Sequence, residues 1–187
     1  MWKDYELPTS ATIDGKEFKI RSDYRVILDI MSAFNDPNLS DKEKVLAGLE
    51  IFYIDYEQIT NIEEAVSLMM LFISGNQKEE DVNNNKPKLM DWEQDISLII
   101  PPVNKVLGQE IRAAEYLHWW TFLGAYMEIG ECTFNTFVGI RDKKIRGKKL
   151  DKWEEDIYKN NYKKIDLKKR YDDNLQAEID EILGRRT

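Results

Sequence analysis

Residues 116–141 read Tyr-Leu-His-Trp-Trp-Thr-Phe-Leu-Gly-Ala-Tyr-Met-Glu-Ile-Gly-Glu-Cys-Thr-Phe-Asn-Thr-Phe-Val-Gly-Ile-Arg. Seven aromatics (Tyr116, Trp119, Trp120, Phe122, Tyr126, Phe134 and Phe137) fall in this one stretch. On a helix advancing roughly 100° per residue, Trp119, Phe122, Leu123, Tyr126 and Ile129 form one stripe. Trp120 and Met127 widen it at one edge. An apolar sector of that breadth exceeds what a helix resting on one neighbour needs. The stretch therefore predicts a central helix contacted on two sides, followed by a second helix from about Cys132 to Lys143. The fold class that follows is mainly α, with six to eight helices.

Outward from this stretch, the chain keeps the helical period. Tyr24, Ile27, Leu28 and Met31 are spaced i, i+3, i+4, i+7, with Ser22 or Asp23 as N-cap and Asp36-Pro37-Asn38 as stop. Ser40 and Glu43 form a capping box that opens a helix with Val45, Leu46, Leu49 and Phe52 inward. Thr60 and Glu63 repeat the pattern before Ala65, Val66, Leu68, Met69 and Phe72, and Gly75 is placed to end that helix. Asp91 caps a helix carrying Trp92, Ile96, Ile99 and Ile100, which Pro101-Pro102 is expected to break. A highly charged segment over roughly 151–183 places Trp153, Ile157, Ile165, Leu175, Ile179 and Ile182 inward. Only residues 7–20 depart from helix. Thr12-Ile13 and Phe18-Lys19-Ile20 flank Asp14-Gly15, a dipeptide suited to a tight β-hairpin turn. Residues 76–89 hold almost nothing to bury and read as a mobile linker. The expected division is a helical domain over 1–147, carrying the hairpin, and a charged helical segment over 148–187.

Composition bounds the function. The chain has 187 residues, 42% hydrophobic and 33% charged, with nine Gly and five Pro. That is ordinary for a globular protein. No run approaches 18 consecutive apolar residues, so no transmembrane helix is expected. The N-terminal residues lack the apolar core of a secretory signal. A single cysteine, Cys132, excludes an internal disulfide and any multi-cysteine metal site. Net charge is −8 and uneven: residues 141–170 hold 13 Lys+Arg against 6 Asp+Glu, the remainder 14 against 29. A basic segment on an acidic body suits docking on an acidic partner, another copy of the chain included. Overall acidity opposes non-specific attraction to nucleic acid.

No catalytic signature competes with this reading. His118 is the only histidine. A general base needs a partner nucleophile or carboxylate arrangement, and none surrounds it in sequence, so a half-buried, hydrogen-bonded histidine is the better reading. Cys132 lies near a helix start, where a thiol pKa can fall, yet a small apolar filler accounts for it. The carboxylate clusters at Asp91/Glu93/Asp95, Glu154/Glu155/Asp156 and Asp172/Asp173 miss the calcium-loop spacing. Glycine-rich phosphate loops and dinucleotide fingerprints are missing too. No enzyme, cofactor or metal site is expected. For contacts with a partner, Trp120 at the stripe's edge and the basic residues Arg141, Lys143, Lys144 and Arg146 are the candidates. Arg141, near a helix C-terminus, also has a structural account through the terminal carbonyls.

Several segments together resemble one family. They are Leu117-His118-Trp119-Trp120-x-Phe122, Ile140-Arg141-x-Lys143, Trp92-Glu93-Gln94-Asp95-x-x-x-Ile99, Ser22-Asp23-Tyr24-Arg25 behind the hairpin, and Leu39-Ser40-Asp41-Lys42-Glu43-Lys44. The chain is similar, over nearly its whole length, to the gene-product-fifteen family of tailed bacteriophages, encoded in the tail module of siphophages and prophages. The resemblance implies a gene close before that of the tape-measure protein, where long-tailed phages place tail assembly chaperones. It therefore implies a chaperone-like protein that binds the tape measure in the host cytoplasm. Its partners would be the tape measure and other tail proteins, and the opposite charge of residues 141–170 suits contact between successive copies. The alternative it implies is a minor structural component of the tail. It carries no catalytic residues.

Overall fold

The computed structural model describes residues 2–3, 5–77 and 87–168. Among them are a two-stranded antiparallel hairpin, β1 (Ser10–Ile13) and β2 (Lys16–Lys19), and seven α-helices. The helices are α1 (Tyr24–Phe34), α2 (Asp41–Phe52), α3 (Ile62–Ile73), α4 (Trp92–Leu107), α5 (Trp119–Met127), α6 (Thr133–Ile145) and α7 (Lys152–Ile165). The mainly α class with an N-terminal hairpin stands as the sequence predicts. The described residues fall into two units. One comprises those up to residue 77 together with Tyr116–Thr121, the other residues 87–115 and 122–168. Residues 148–168, expected to open a separate segment, lie in the second unit with α4 and α6. Residues 78–86 of the expected linker, and Leu175, Ile179 and Ile182, lie outside the described residues.

In the first unit the hairpin pairs Ser10 with Lys19 and Ile13 with Lys16, and Asp14 and Gly15 turn at φ 48° and 76°. Both positive values match the turn that Asp-Gly favours. The turn is fastened to α3: the Asp14 amide donates to Glu64 Oε2 at 2.8 Å. Ala11, Ile13 and Phe18 point inward and meet a core of Tyr24, Ile27, Ile30, Val45, Leu49, Phe52, Tyr53, Val66, Met69 and Phe72, all buried. Burying each large side chain contributes about 1.5–3 kcal/mol. α1 and α2 pack closely at Gly48, where an added Cβ would lie 2.7 Å from Phe34 Cε1. Asp23 caps α1, and Ser40 with Glu43 builds the expected box on α2. α3 differs: its cap is Asn61, whose side chain accepts from the Glu64 amide, not Thr60. Asn61 also donates to Asp14 Oδ1 at 2.9 Å, and that hairpin contact selects the start one residue later. Leu46, expected inward, is exposed.

In the second unit α4 runs unbroken through Pro101 and Pro102, against the expected break. A mid-helix proline costs about 3 kcal/mol through its missing N–H and a clash one turn back. Ile99, Ile100 and Val103 are buried on the inner face, and at about 1.5–3 kcal/mol each their burial offsets the two prolines. α4 ends at Gly108 in the left-handed conformation, φ 68°, the usual glycine stop. α6 and α7 close over Phe137, Ile140 and Ile165, with Leu98, Leu150, Ile157 and Tyr158 packed against them. Trp153 corrects another expectation: it is 62% exposed rather than inward.

The aromatic helix is real but short. α5 stops at Met127, so Ile129 follows it. Trp119, Phe122 and Tyr126 share it, with Trp119 counted in the first unit and Phe122 and Tyr126 in the second. Phe122 and Tyr126 join Trp92 and Phe134 in an aromatic cluster with ring centroids 4.9–6.0 Å apart.

Candidate functional site

The segments that carry the family resemblance come together in pairs. Within the first unit, Ser22-Asp23-Tyr24-Arg25 meets Tyr116-Leu117-His118-Trp119-Trp120. The Tyr24 amide donates to the Leu117 carbonyl at 2.9 Å, and the Trp119 amide to the Ser22 carbonyl at 2.8 Å. Asp23 sits at their centre. Its Oδ1 accepts from the Arg25 amide and from Arg25 Nε, and its Oδ2 from Arg25 Nη2 and from the Leu117 amide at 3.0 Å. Burial alone would raise this carboxyl. The hydrogen bonds from Arg25 and Leu117 outweigh that and hold it below the usual carboxylate range.

His118 and the two tryptophans complete this junction. His118 Nδ1 accepts from the Trp120 amide at 3.0 Å, in the manner of an N-cap on α5, and Nε2 lies 3.0 Å from the Pro8 carbonyl. A ring nitrogen facing a carbonyl must carry the proton, and one facing an N–H must not. This ring is therefore neutral with its hydrogen on Nε2. Burial pushes its pKa below the ordinary histidine value, against a smaller upward pull from the Pro8 carbonyl. Trp119 Nε1 donates to the Ile73 carbonyl at 2.9 Å and Trp120 Nε1 to the Phe72 carbonyl at 2.8 Å. Both carbonyls lie in the last turn of α3, where a helix leaves acceptors without helical partners. Trp120, a candidate for partner contact, is half-buried, stacks on Phe72 at 5.5 Å and meets Trp2 edge-on at 6.1 Å.

Within the second unit, Trp92-Glu93-Gln94-Asp95 meets Ile140-Arg141. Arg141 forms a bidentate pair with Asp95, Nη1 to Oδ2 at 2.7 Å and Nη2 to Oδ1 at 2.8 Å. The two side chains are 3% and 0% exposed. Arg141 also donates from Nε to the Ile165 carbonyl, from Nη1 to Leu89 and from Nη2 to Lys164. A guanidinium has five N–H groups, and all five have acceptors here. Arg141 thus does bond a helix C-terminus, but that of α7 rather than its own. Its buried guanidinium has no donor left for an outside partner. Gln94 finishes the same end: its amide nitrogen donates to the Lys164 and Asp166 carbonyls, and its oxygen accepts from the Lys168 amide. Gln94 and Asp95 were not among the predicted site residues. The signal for them is present in the sequence, since they lie inside Trp92-Glu93-Gln94-Asp95, whose companion segment holds the arginine.

The other basic candidates have acidic neighbours. Lys143 pairs with Glu154 at 2.5 Å, and Arg146 with Asp142 at 2.7 Å. Lys144 pairs with Asp166 at 2.6 Å and sits 3.6 Å from the centre of the Tyr158 ring. Burial pulls the Lys144 pKa down, and the hydrogen bonds to Asp166 and Tyr158 outweigh it, so the value is raised. Cys132 precedes α6 as its N-cap with no side-chain cap bond. Among the described residues no group of three or more His, Cys, Asp or Glu is placed to hold a metal ion, and no helix is long and apolar enough to cross a membrane.

These features define a class: a mainly α protein with an N-terminal hairpin, in which remote chain segments are tied to helix ends. The chain belongs to the Bacteriophage Gp15 protein family, whose model matches residues 4–172. No curated protein and no solved structure matches it.

Proposed function

We propose that this phage protein is a non-catalytic, tail assembly chaperone-like factor that binds the tape-measure protein in the host cytoplasm during long-tail morphogenesis. One observation supports this above others: large apolar side chains left outside on helices of the second unit. Met127, Ile145, Trp153 and Tyr162 are 49–62% exposed. Exposed tryptophan and tyrosine suit recognition of an amphipathic helix, and a tape measure is expected to be rich in such helices. The engagement of His118 and Arg141 in internal bonds agrees with a binding role. The phage family agrees with one in particle assembly.

Co-expression with the tape-measure protein of the same phage tests this reading. A soluble complex that survives purification is the expected outcome. An insoluble tape measure with no recoverable complex would end it. Mass spectrometry of purified particles then distinguishes the chaperone, absent from virions, from a minor tail component present in fixed copy number.

A further inference from the structure

The turn between α6 and α7 carries an open cleft of about 480 Å³, lined by Lys143, Lys149, Leu150, Asp151, Lys152 and Glu155. The lining holds three lysines against two carboxylates, Asp151 and Glu155. Asp151 is occupied as the cap of α7, accepting from the Glu154 amide at 2.9 Å, and Lys143 is paired with Glu154. Lys149, Lys152 and the adjacent Lys148 are exposed. None of the three pairs with an acid among the described residues. The next residue along, Trp153, is the exposed tryptophan of α7. A concave basic surface beside an exposed indole combines the charge that steers an encounter with the anchor that holds it.

We propose that this cleft, with Trp153, docks on the acidic surface of a second copy of this chain. Charge complementarity selects that occupant. Outside residues 141–170 the chain holds 14 basic against 29 acidic residues, and residues 1–77 alone hold 7 against 14. The same imbalance opposes a polyanion such as nucleic acid, which would meet an acidic body around one basic face. Such a contact joins two different surfaces: reciprocated about a two-fold axis it closes a dimer, and otherwise it propagates from copy to copy unless its rotation closes a ring. The contact is independent of the tape-measure reading, because it needs this chain alone.

Sedimentation velocity of the purified full chain tests it, in about 0.1 M and about 1 M salt, where the screening length falls from roughly 10 Å to roughly 3 Å. The expected result is concentration-dependent association in the lower salt that disperses in the higher. The triple variant Lys148→Glu, Lys149→Glu, Lys152→Glu should remain monomeric. Trp153→Ala should weaken association roughly tenfold with an unchanged thermal melt, since its side chain lies outside the core. A monomer at every concentration in both salts overturns the proposal. So does association that the lysine reversals leave intact, or salt-sensitive capture of a single-stranded oligonucleotide by a chain that stays monomeric.

Discussion

The last turns of α3 and α7 are both finished by side chains from remote positions, yet the two use opposite chemistry. At α3 the donors are the neutral indoles of Trp119 and Trp120, one carbonyl each. At α7 a single guanidinium serves two carbonyls, and its charge is balanced by a carboxylate that is itself fully buried. A neutral donor can be lost with damage limited to its own bond. A buried charge cannot, because its partner then stands in a low dielectric without compensation. The first junction is therefore expected to degrade in steps and the second all at once.

Arg141→Ala is the largest test of that contrast. It leaves Asp95 buried without its counter-charge together with carbonyls at Leu89 and Ile165 that lose their side-chain donor, while Lys164 keeps only Gln94, and removing one member of such a pair costs about 3–5 kcal/mol. Urea denaturation should show this loss, and Arg141→Lys should recover little of it, since an ammonium cannot reproduce the planar fork. The double variant Asp95→Leu, Arg141→Met should be less damaged than Arg141→Ala alone. Equal damage would mean that the charge is not what makes this end brittle.

Trp119→Phe is the matching change at the neutral junction. It removes the N–H to Ile73 and part of the ring, and leaving one buried acceptor unsatisfied costs about 1–3 kcal/mol. A loss as large as that of Arg141→Ala would erase the distinction between the two caps.

Acid offers a third measurement. His118 is held neutral with its pKa below the ordinary value, so the unfolded chain binds its proton more readily than the folded one. The stability due to its neutral form is complete above the unfolded value of about 6.5 and is lost as pH falls from there toward the folded value. Urea midpoints should therefore decline across that interval, and His118→Asn should flatten the decline. Asp23, depressed by Arg25 and Leu117, gives way only at lower pH, as solution acidity passes the ordinary aspartate value of about 3.9. The smallest effect belongs to Arg146→Ala. Its pair with Asp142 is largely exposed, and the change should stay within about 0.5 kcal/mol.

What the sequence made legible follows from the range of the forces. Local devices could be read directly: the Asp14-Gly15 turn, the Ser40–Glu43 box and the Asp91 cap all depend on residues within four positions of one another. Misreadings arise where a distant contact decides. Asn61 displaced Thr60 because Asn61 also reaches the hairpin, and Pro101-Pro102 failed to stop α4 because the isoleucines around them are buried. The hydrophobicity of Trp153 points it inward, though periodicity alone does not say which side of a charged helix meets a neighbour. At the candidate site the motif segments were visible, but not which segment meets which. The pairing of Asp95 with Arg141 spans 46 positions, and no local period encodes it.

The hold of Gln94 on Lys164, Asp166 and Lys168 bridges 70 to 74 positions. A ribosome adding residues one by one releases α4 long before α7 exists, so Asp95 emerges ahead of the arginine that neutralises it. Until the stretch up to Lys168 has left the exit tunnel, this half of the protein has no means of closing. Nascent chains arrested short of that point should yield to protease in the region of α4, and those released beyond it should resist.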